Sequence, residues 1–440
     1  MSEKMRAVFG NLSWVQGREW LLTAGPAALL VLGAFVLTMR FVEPGPPKAV
    51  TITTGGPTGA YYAFGKRYSE ILARSGIELK VLASAGSVEN VARLKDPASG
   101  VSVALLQGGI GNTQEAPMTN SVGRVFHEPL WVFYRGDTID KLGQLKGKRI
   151  AVGAEGSGTR VLSVALLKAN DITETGATLS PLTAQPAVDA MMAGQLDAVF
   201  LALAPQAPLI QQLLRSRDIK LMNFSQGDAY AKIFPYLAKL TLPQGVIDLV
   251  ANIPEQDVVL VAATAALVVR DDLHPAIVAL LAEAAQEVHG KMSLFGRAGE
   301  FPSTTDPDFE MDQDALRFYK SGPTFWKRFL PFWLANLAER LVVLLVPLLT
   351  VLLPLSKVVP AVYRWRIRQR MLLRYRQMKE LDVRIAELPR GASSTALRAE
   401  LDELEQAVAA TRVPIQFSDQ YYDLRGHLDD MRQRLMTRTA

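Results

Sequence analysis

The stretch Ile52 to Gly65, ITTGGPTGAYYAFG, decides how the rest of the chain is read, because a β-prone run ends in glycines and resumes as a helix-compatible segment. Gly55, Gly56 and Gly59 let a backbone approach a ligand closely, and the free amides of a helix start can hydrogen-bond a carboxylate or phosphate. Thr54 and Thr58 add hydroxyls, and Tyr61 and Tyr62 add a flat wall with polar tips. A plain glycine turn between strand and helix fits the same residues. Position favours the ligand reading: the stretch follows an apolar segment and a Pro-rich linker (40–49) and opens a long alternation of strand-like and helix-like segments.

Working outward, strands are expected at 50–54, 78–83 and 101–107 and helices at 61–75 and 88–94. This βαβαβ rhythm implies a mostly parallel sheet with covering helices. In such sheets ligands sit beyond the carboxyl ends of the strands, where the Gly55 turn, Ser87 and Gln107 fall. A second unit begins near Ile139. LKGKRIAVGAEGSGTRVLSVALL, Leu145 to Leu167, holds a strand at 149–153, a glycine-serine turn and a helix capped by Ser157 or Thr159. Residues 196–203 read as a strand, 258–269 as a buried strand or strand pair, and 275–289 as an amphipathic helix. Two α/β units, each with an anion-ready turn, predict two lobes facing a cleft across residues 50–328, the second lobe over about 135–255.

Two apolar segments lie outside that core. Residues 20–39, WLLTAGPAALLVLGAFVLTM, are uncharged and match the ~20 residues that span a bilayer. Residues 329–360 contain LVVLLVPLLTVLLPL, a second span or an interfacial helix; Pro347 and Pro354 are tolerable in a membrane helix. Lys4, Arg6 and Arg18 precede the first segment, and Arg364, Arg366, Arg368, Arg370, Arg374 and Arg376 follow the second. The positive-inside rule then places both ends (1–19 and 361–440) in the cytoplasm and the middle outside. LTMRF offers no small-x-small cleavage site, which favours an uncleaved signal anchor over a signal peptide. The arginines at the membrane edge suit anionic lipid, so the net charge of +5 does not argue for nucleic acid.

The last 80 residues change character. Met378, Leu381, Ile385 and Leu388, then Leu397, Leu401, Leu404 and Val408, then Leu424, Leu428, Met431 and Leu435 form three heptad stripes, broken at 389–394 and 413–419. Each is shorter than the three or four heptads of a secure coiled coil. Helices packed on one another or on a cytoplasmic partner are expected.

Six segments in order resemble the TAXI-type solute receptors of tripartite TRAP transporters: GGPTGAYYAFG, GSVENVARL from Gly86, the strand ending in Gln107, EPLWVFYR from Glu128, LKGKRIAVGAEGSGT, and AGQLDAVF from Ala193. The resemblance runs from about Val50 to about Arg328. It implies the two-lobed periplasmic binding protein fold, an α/β domain; the two transmembrane helices and α-helical tail expected to flank it depart from the usual pattern of such receptors, which are exported free or lipid-anchored. It also implies a cleft bordered by Gly56, Thr58, Gly59, Tyr61, Tyr62, Ser87, Asn90, Gln107, Ser157, Gly158 and Thr159. Read from the residues alone, Ser87 is equally an N-cap and Asn90 a surface residue of its helix's first turn, and Arg160 either pairs with a ligand carboxylate or projects into solvent. Glu89 would complement a helix dipole instead. The implied function is capture of a small, carboxylate-bearing solute for TRAP-type membrane subunits at a bacterial inner membrane, with the binding domain in the periplasm. A sensor or scaffold signalling to the helical tail is the alternative.

An enzyme is not expected. His127, His274, His289 and His427 are scattered, no HExxH or G-x-S-x-G occurs, and the chain has no cysteine. No cofactor or metal is expected either. The run Asp306, Asp308, Glu310, Asp312, Asp314 begins like a calcium loop, but Met311 stands where glycine is needed and Arg317 where a bidentate Glu is needed. It reads as a solvated acidic turn.

Overall fold

Ile52 and Val103 have no solvent exposure, and their strands lie side by side at the centre of the first lobe. In the computed structural model, residues 14–40, 44–387, 389, 393, 395–410 and 417–439 are described. Lys4, Arg6, Phe41, Val42, Glu43, the stripe residue Leu388 and most of both tail breaks lie outside the described residues. The described residues fall into two units, 44–338 on the one hand, and the N-terminal helix with 339–440 on the other.

The described chain opens with helix α1 (Trp14–Met39). In the larger unit, β1 (Ala49–Thr53) pairs in parallel with β2 (Glu78–Leu82) and β3 (Val103–Leu106), joined by α2 (Ala60–Ala73) and α3 (Ser87–Lys95). The long β4 (Thr119–Tyr134) follows. Next come β5 (Arg149–Ala151), α4 (Gly158–Lys168), β6 (Thr178–Ser180), α5 (Ala184–Met192) and β7 (Ala198–Ala202). After them run α6 (Pro208–Leu214), β8 (Lys220–Leu221), α7 (Gly227–Ile233), β9 (Leu237–Leu242) and the long β10 (Val258–Arg270). The unit closes with α8 (Pro275–His289) and α9 (Gln313–Ser321).

These strands form one sheet ordered β2-β1-β3-β10-β4-β7-β5-β6, with β8 on β4 and β9 on β10. It is mixed, not mostly parallel as the βαβ rhythm suggested, because β10 and β4 run antiparallel to each other and to their outer neighbours. Both long strands belong to both lobes. β10 pairs with β3 through Val269 and with β9 through Val258, while β4 pairs with β10 near Thr119 and with β7 near Tyr134. The first lobe packs Tyr68 and Leu72 of α2 and Ile277 and Leu281 of α8 on one sheet face, with Leu94, Val101, Leu106 and Phe309 on the other. In the second lobe Leu162 and Leu166 of α4 cover one face, and Val188, Met191, Ile210 and Leu213 cover the other over Trp131 and Phe133.

The acidic run is not a solvated turn. Asp306 is fully buried and takes the Arg124 guanidinium at 2.6 Å, and Asp308 takes the same nitrogen at 2.6 Å. Asp308 also accepts from the Gly109 amide at 2.8 Å, and Asp312 caps α9 through the amides of Asp314 and Ala315. The carboxylates that looked like a loop signal are consumed by a buried cation on β4 and by a helix start. Charge density alone cannot announce a partner nearly two hundred residues away in sequence.

The next helix, α10 (Phe332–Ala386), has 55 residues and continues through Pro347, Pro354 and Pro360. Among the described residues it is the one helix long and apolar enough to cross a membrane; the apolar stretch Ala24–Met39 of α1 is shorter. At ~1.5 Å per residue a helix of this length is about 80 Å long, well over the ~30 Å hydrocarbon core, and its C-terminal end carries Leu381 and Ile385 into the tail. There α11 (Thr395–Ala409) and α12 (Ser418–Thr439) complete a helical core. Leu381, Ile385, Leu397, Leu401, Leu404, Leu424, Leu428 and Met431 are buried against one another. The stripes thus pack among themselves, as one of the two expectations has it.

Candidate functional site

The glycine turns place three helix starts beside the crossing strands. Gly59 is the N-cap of α2, held by its amide to the Gly56 carbonyl at 2.8 Å, and no side chain caps that helix. Its first amides are thus free of side-chain caps. Gly86, at φ 141°, precedes α3 in the same uncapped way, whereas Ser157 caps α4 by accepting the Arg160 amide at 3.2 Å.

The starts of α3 and α4 come from different lobes and touch. A Cβ on Gly86 would sit 3.4 Å from Ser157 Cα and 3.6 Å from the Gly158 nitrogen. One on Gly158 would overlap Gln107 Oε1 and press on Ile110. Only glycine allows this approach. Gln107, 4% exposed, completes the junction: its backbone amide donates to Ser87 Oγ at 2.9 Å, and its Nε2 donates across the lobes to the Gly158 carbonyl at 3.1 Å. The lobes are closed on each other here.

Four of the twelve residues singled out from the sequence, Ser87, Gln107, Ser157 and Gly158, therefore converge. Ser87 is not a cap; its hydroxyl holds the Gln107 strand end. Asn90 is neither a surface residue nor open to a ligand. It is fully buried, donating to the carbonyls of Thr54 and Leu105 and accepting from Thr53 Oγ1, so its amide is spent on joining β1 to β3. Thr54 likewise gives its hydroxyl to the Leu82 carbonyl. Gly56 and Thr58 are exposed on the turn, Gly59 and Thr159 are half-buried, and Tyr62 lies half-buried under Lys66 Nζ. Glu89 pairs with Arg93 at 2.5 Å and accepts the Ala85 amide at 2.6 Å, a helix-start role as expected.

Arg160 differs from the rest. Its Nη1 is sealed from solvent and has no hydrogen-bond partner among the described residues. A buried cationic donor without an acceptor is costly, and an anion beside it removes the cost.

Glu128, at the head of EPLWVFYR, is not among the residues the sequence singles out. Tyr61 donates its hydroxyl to Glu128 Oε2 at 3.2 Å. Burial lifts the Tyr61 hydroxyl well above its ordinary range, and Glu128 beside it adds to the effect. Burial also pushes the Glu128 carboxyl up to about 7. Nearby, His289 stacks on Phe126 at 5.5 Å and meets the Tyr68 hydroxyl at 2.9 Å; burial, helped by Arg67, lowers it to about 3.

The two groups act on stability with opposite signs. His289 is neutral when folded, so between pH 6.5 and about 3 the unfolded chain binds the extra proton and stability falls with acidification. The loss is on the order of 4 kcal/mol across that window. Glu128 holds its proton longer when folded, so its contribution is present below about 4.5 and lost as pH rises through about 7. We expect His289→Phe to flatten the acid limb in denaturant midpoints measured against pH. An unchanged limb would assign acid sensitivity to other groups.

A family model described as NMT1-like matches residues 52–293. Among solved structures, a protein from Bordetella bronchiseptica RB50 is 15% identical, covering 56% of this chain and 72% of its own with a TM-score of 0.39. The alkanesulfonate-binding protein SsuA from Xanthomonas axonopodis pv. citri is 17% identical over 44% of this chain and 70% of its own, with a TM-score of 0.32. The aliphatic sulphonate binding protein SsuA from Escherichia coli is 13% identical over 55% and 69%, with a TM-score of 0.33. Likenesses this remote transfer no ligand to this chain.

Proposed function

The chain belongs to the NMT1-like family, and from that premise we propose that it is a membrane-anchored solute receptor that closes its two lobes around a small anion. One observation carries the reading. Arg160 Nη1 is shielded, and unpaired among the described residues, in the first turn of a helix whose start meets the other lobe. A carboxylate there would gain a charge-assisted hydrogen bond and the favourable end of a helix dipole. The residues around the junction supply amides, hydroxyls and an amide side chain, which suits binding and not turnover.

In the finer form of this proposal the ligand carries a carboxylate and is handed to TRAP-type membrane subunits. α10, and with it α1, anchors the receptor, with residues 44–328 outside and the arginines from Arg364 to Arg376 inside. One observation favours the sensing alternative. A single helix carries both Phe332, which packs in the first-lobe core, and Ile385, which packs in the tail core.

The test is a thermal-shift screen of the full chain in detergent against small carboxylates, sulfonates and phosphate. At least one anion should raise the melting temperature of the wild type. Arg160→Gln should lose about 1.5–3 kcal/mol of that binding energy, roughly ten- to a hundredfold in affinity. Full retention of anion binding in the variant would remove Arg160 from the site.

A further inference from the structure

A cavity of about 360 Å³ opens beside the crossing strands, between α2, β4, residues 203–206 after β7 and the segment after α8. Phe64, Phe126, Leu203, Leu294, Phe295 and Phe301 give it an apolar wall. Its size is that of an ordinary small-molecule pocket. None of the twelve sequence-derived site residues lines it, and neither does the Gln107 junction.

The polar groups of this cavity are few and mostly engaged. His127 meets Thr264 Oγ1 at 3.1 Å and Glu300 at 3.2 Å, and His289 is taken by Tyr68. Arg67 and Lys291 are exposed to water, where their charges are screened. Gln206 and Ser293 are exposed as well, and the half-buried carboxyl group of the lining is that of Glu128. Its Oε2 accepts from Tyr61, and Oε1 has no hydrogen bond among the described residues. An apolar chamber with one half-used carboxyl group disfavours an anion and leaves a hydrocarbon unable to satisfy the free oxygen.

We propose that this cavity is a second ligand site, separate from the Arg160 junction, which takes an aromatic or branched aliphatic amine with its ammonium group on Glu128 Oε1. The ring or branched chain fills the space between Phe64, Phe126 and Phe295, and the amine supplies the donor that the carboxylate lacks. Of the titratable groups around Glu128, Tyr61 and His289 stay neutral, His127 is lowered by burial, and Arg67 and Lys291 face water. The carboxyl itself therefore sets the pH response. Because burial holds it protonated to about 7 in the empty cavity, an ammonium ion binds better once it has ionised.

Phenethylamine is the probe, titrated calorimetrically into the full chain in detergent at pH 6 and pH 8, where it carries its charge throughout. We expect binding at pH 8 that is up to about tenfold tighter than at pH 6, and a loss of at least about tenfold at pH 8 in Glu128→Gln. The amide is isosteric and can still accept from Tyr61, and an undiminished denaturant midpoint at pH 8 verifies that it folds. Ala204→Phe, which fills the cavity without touching the carboxyl, should abolish phenethylamine binding as well. Arg160→Gln should leave it unchanged, which separates this site from the anion site. The proposal is overturned if Glu128→Gln keeps its affinity, if 3-phenylpropionate binds as well as the amine, if Ala204→Phe binds normally, or if the wild type takes up no phenethylamine.

Discussion

Arg124→Ala should be the most damaging single substitution in the binding unit, lowering its stability by about 3–5 kcal/mol and its melting temperature by roughly 10 °C. Arg124 is 3% exposed and neutralises Asp306 and Asp308 together, besides donating to the Thr264 carbonyl on β10. Removing it leaves a fully buried carboxylate and a mostly buried one without a counter-charge, and a void against Gly108, whose missing Cβ makes room for the guanidinium. The energy lies in breaking the set, not in the set itself. Replacing the whole cluster, Arg124→Met with Asp306→Asn and Asp308→Asn, should therefore recover much of the loss. Denaturant melts of both variants decide the matter. A single mutant within about 1 kcal/mol of wild type would mean that water reaches these carboxylates.

This cluster also shows what can be read from the chain and what cannot. The glycine turns, α8 and the second α/β unit were legible, because local chemistry determines them: Gly at positive φ or close approach, Ser157 as a cap, apolar residues at helical spacing. The crossing strand β4 is legible only in its second half, from Glu128 onward. Its first half, TNSVGRVFH, contains Gly, Arg and His, and its burial is almost continuous, so neither alternation nor an apolar run marks it. The fates of Asn90 and Asp306 depend on partners brought together by the sheet. Ser87 and Gln107 did emerge from the resemblance, yet the bond each makes, one within a lobe and one between lobes, belongs to the tertiary structure alone.

The second large effect is expected in the tail. Leu401 is 2% exposed and Leu404 8%, and both contribute to the core shared by α10, α11 and α12. Changing both to Ser removes two buried leucines and inserts two hydroxyls. At about 2–5 kcal/mol for each lost side chain, the sum exceeds what a bundle of this size can hold in reserve. The surface ion pairs Arg384–Glu400 and Arg432–Glu405 offset little of it. Far-UV circular dichroism should show lost helix, and limited proteolysis should cut between Thr395 and Thr439. Anion binding should persist. If the tail stays folded, the buried stripe is not what holds it. If it unfolds and cells retain ligand-dependent uptake, the transport reading is favoured over sensing, because a sensor would lose its output.

Native mass spectrometry of the full chain released from detergent tests the receptor account most directly. The account predicts that wild-type protein, after incubation with the anion that most raises its melting temperature, gains one small ligand per chain, and that Arg160→Gln gains little or none under the same conditions. A wild-type chain that stays at its bare mass with every carboxylate, sulfonate and phosphate offered would contradict it, as would equal loading of the two proteins.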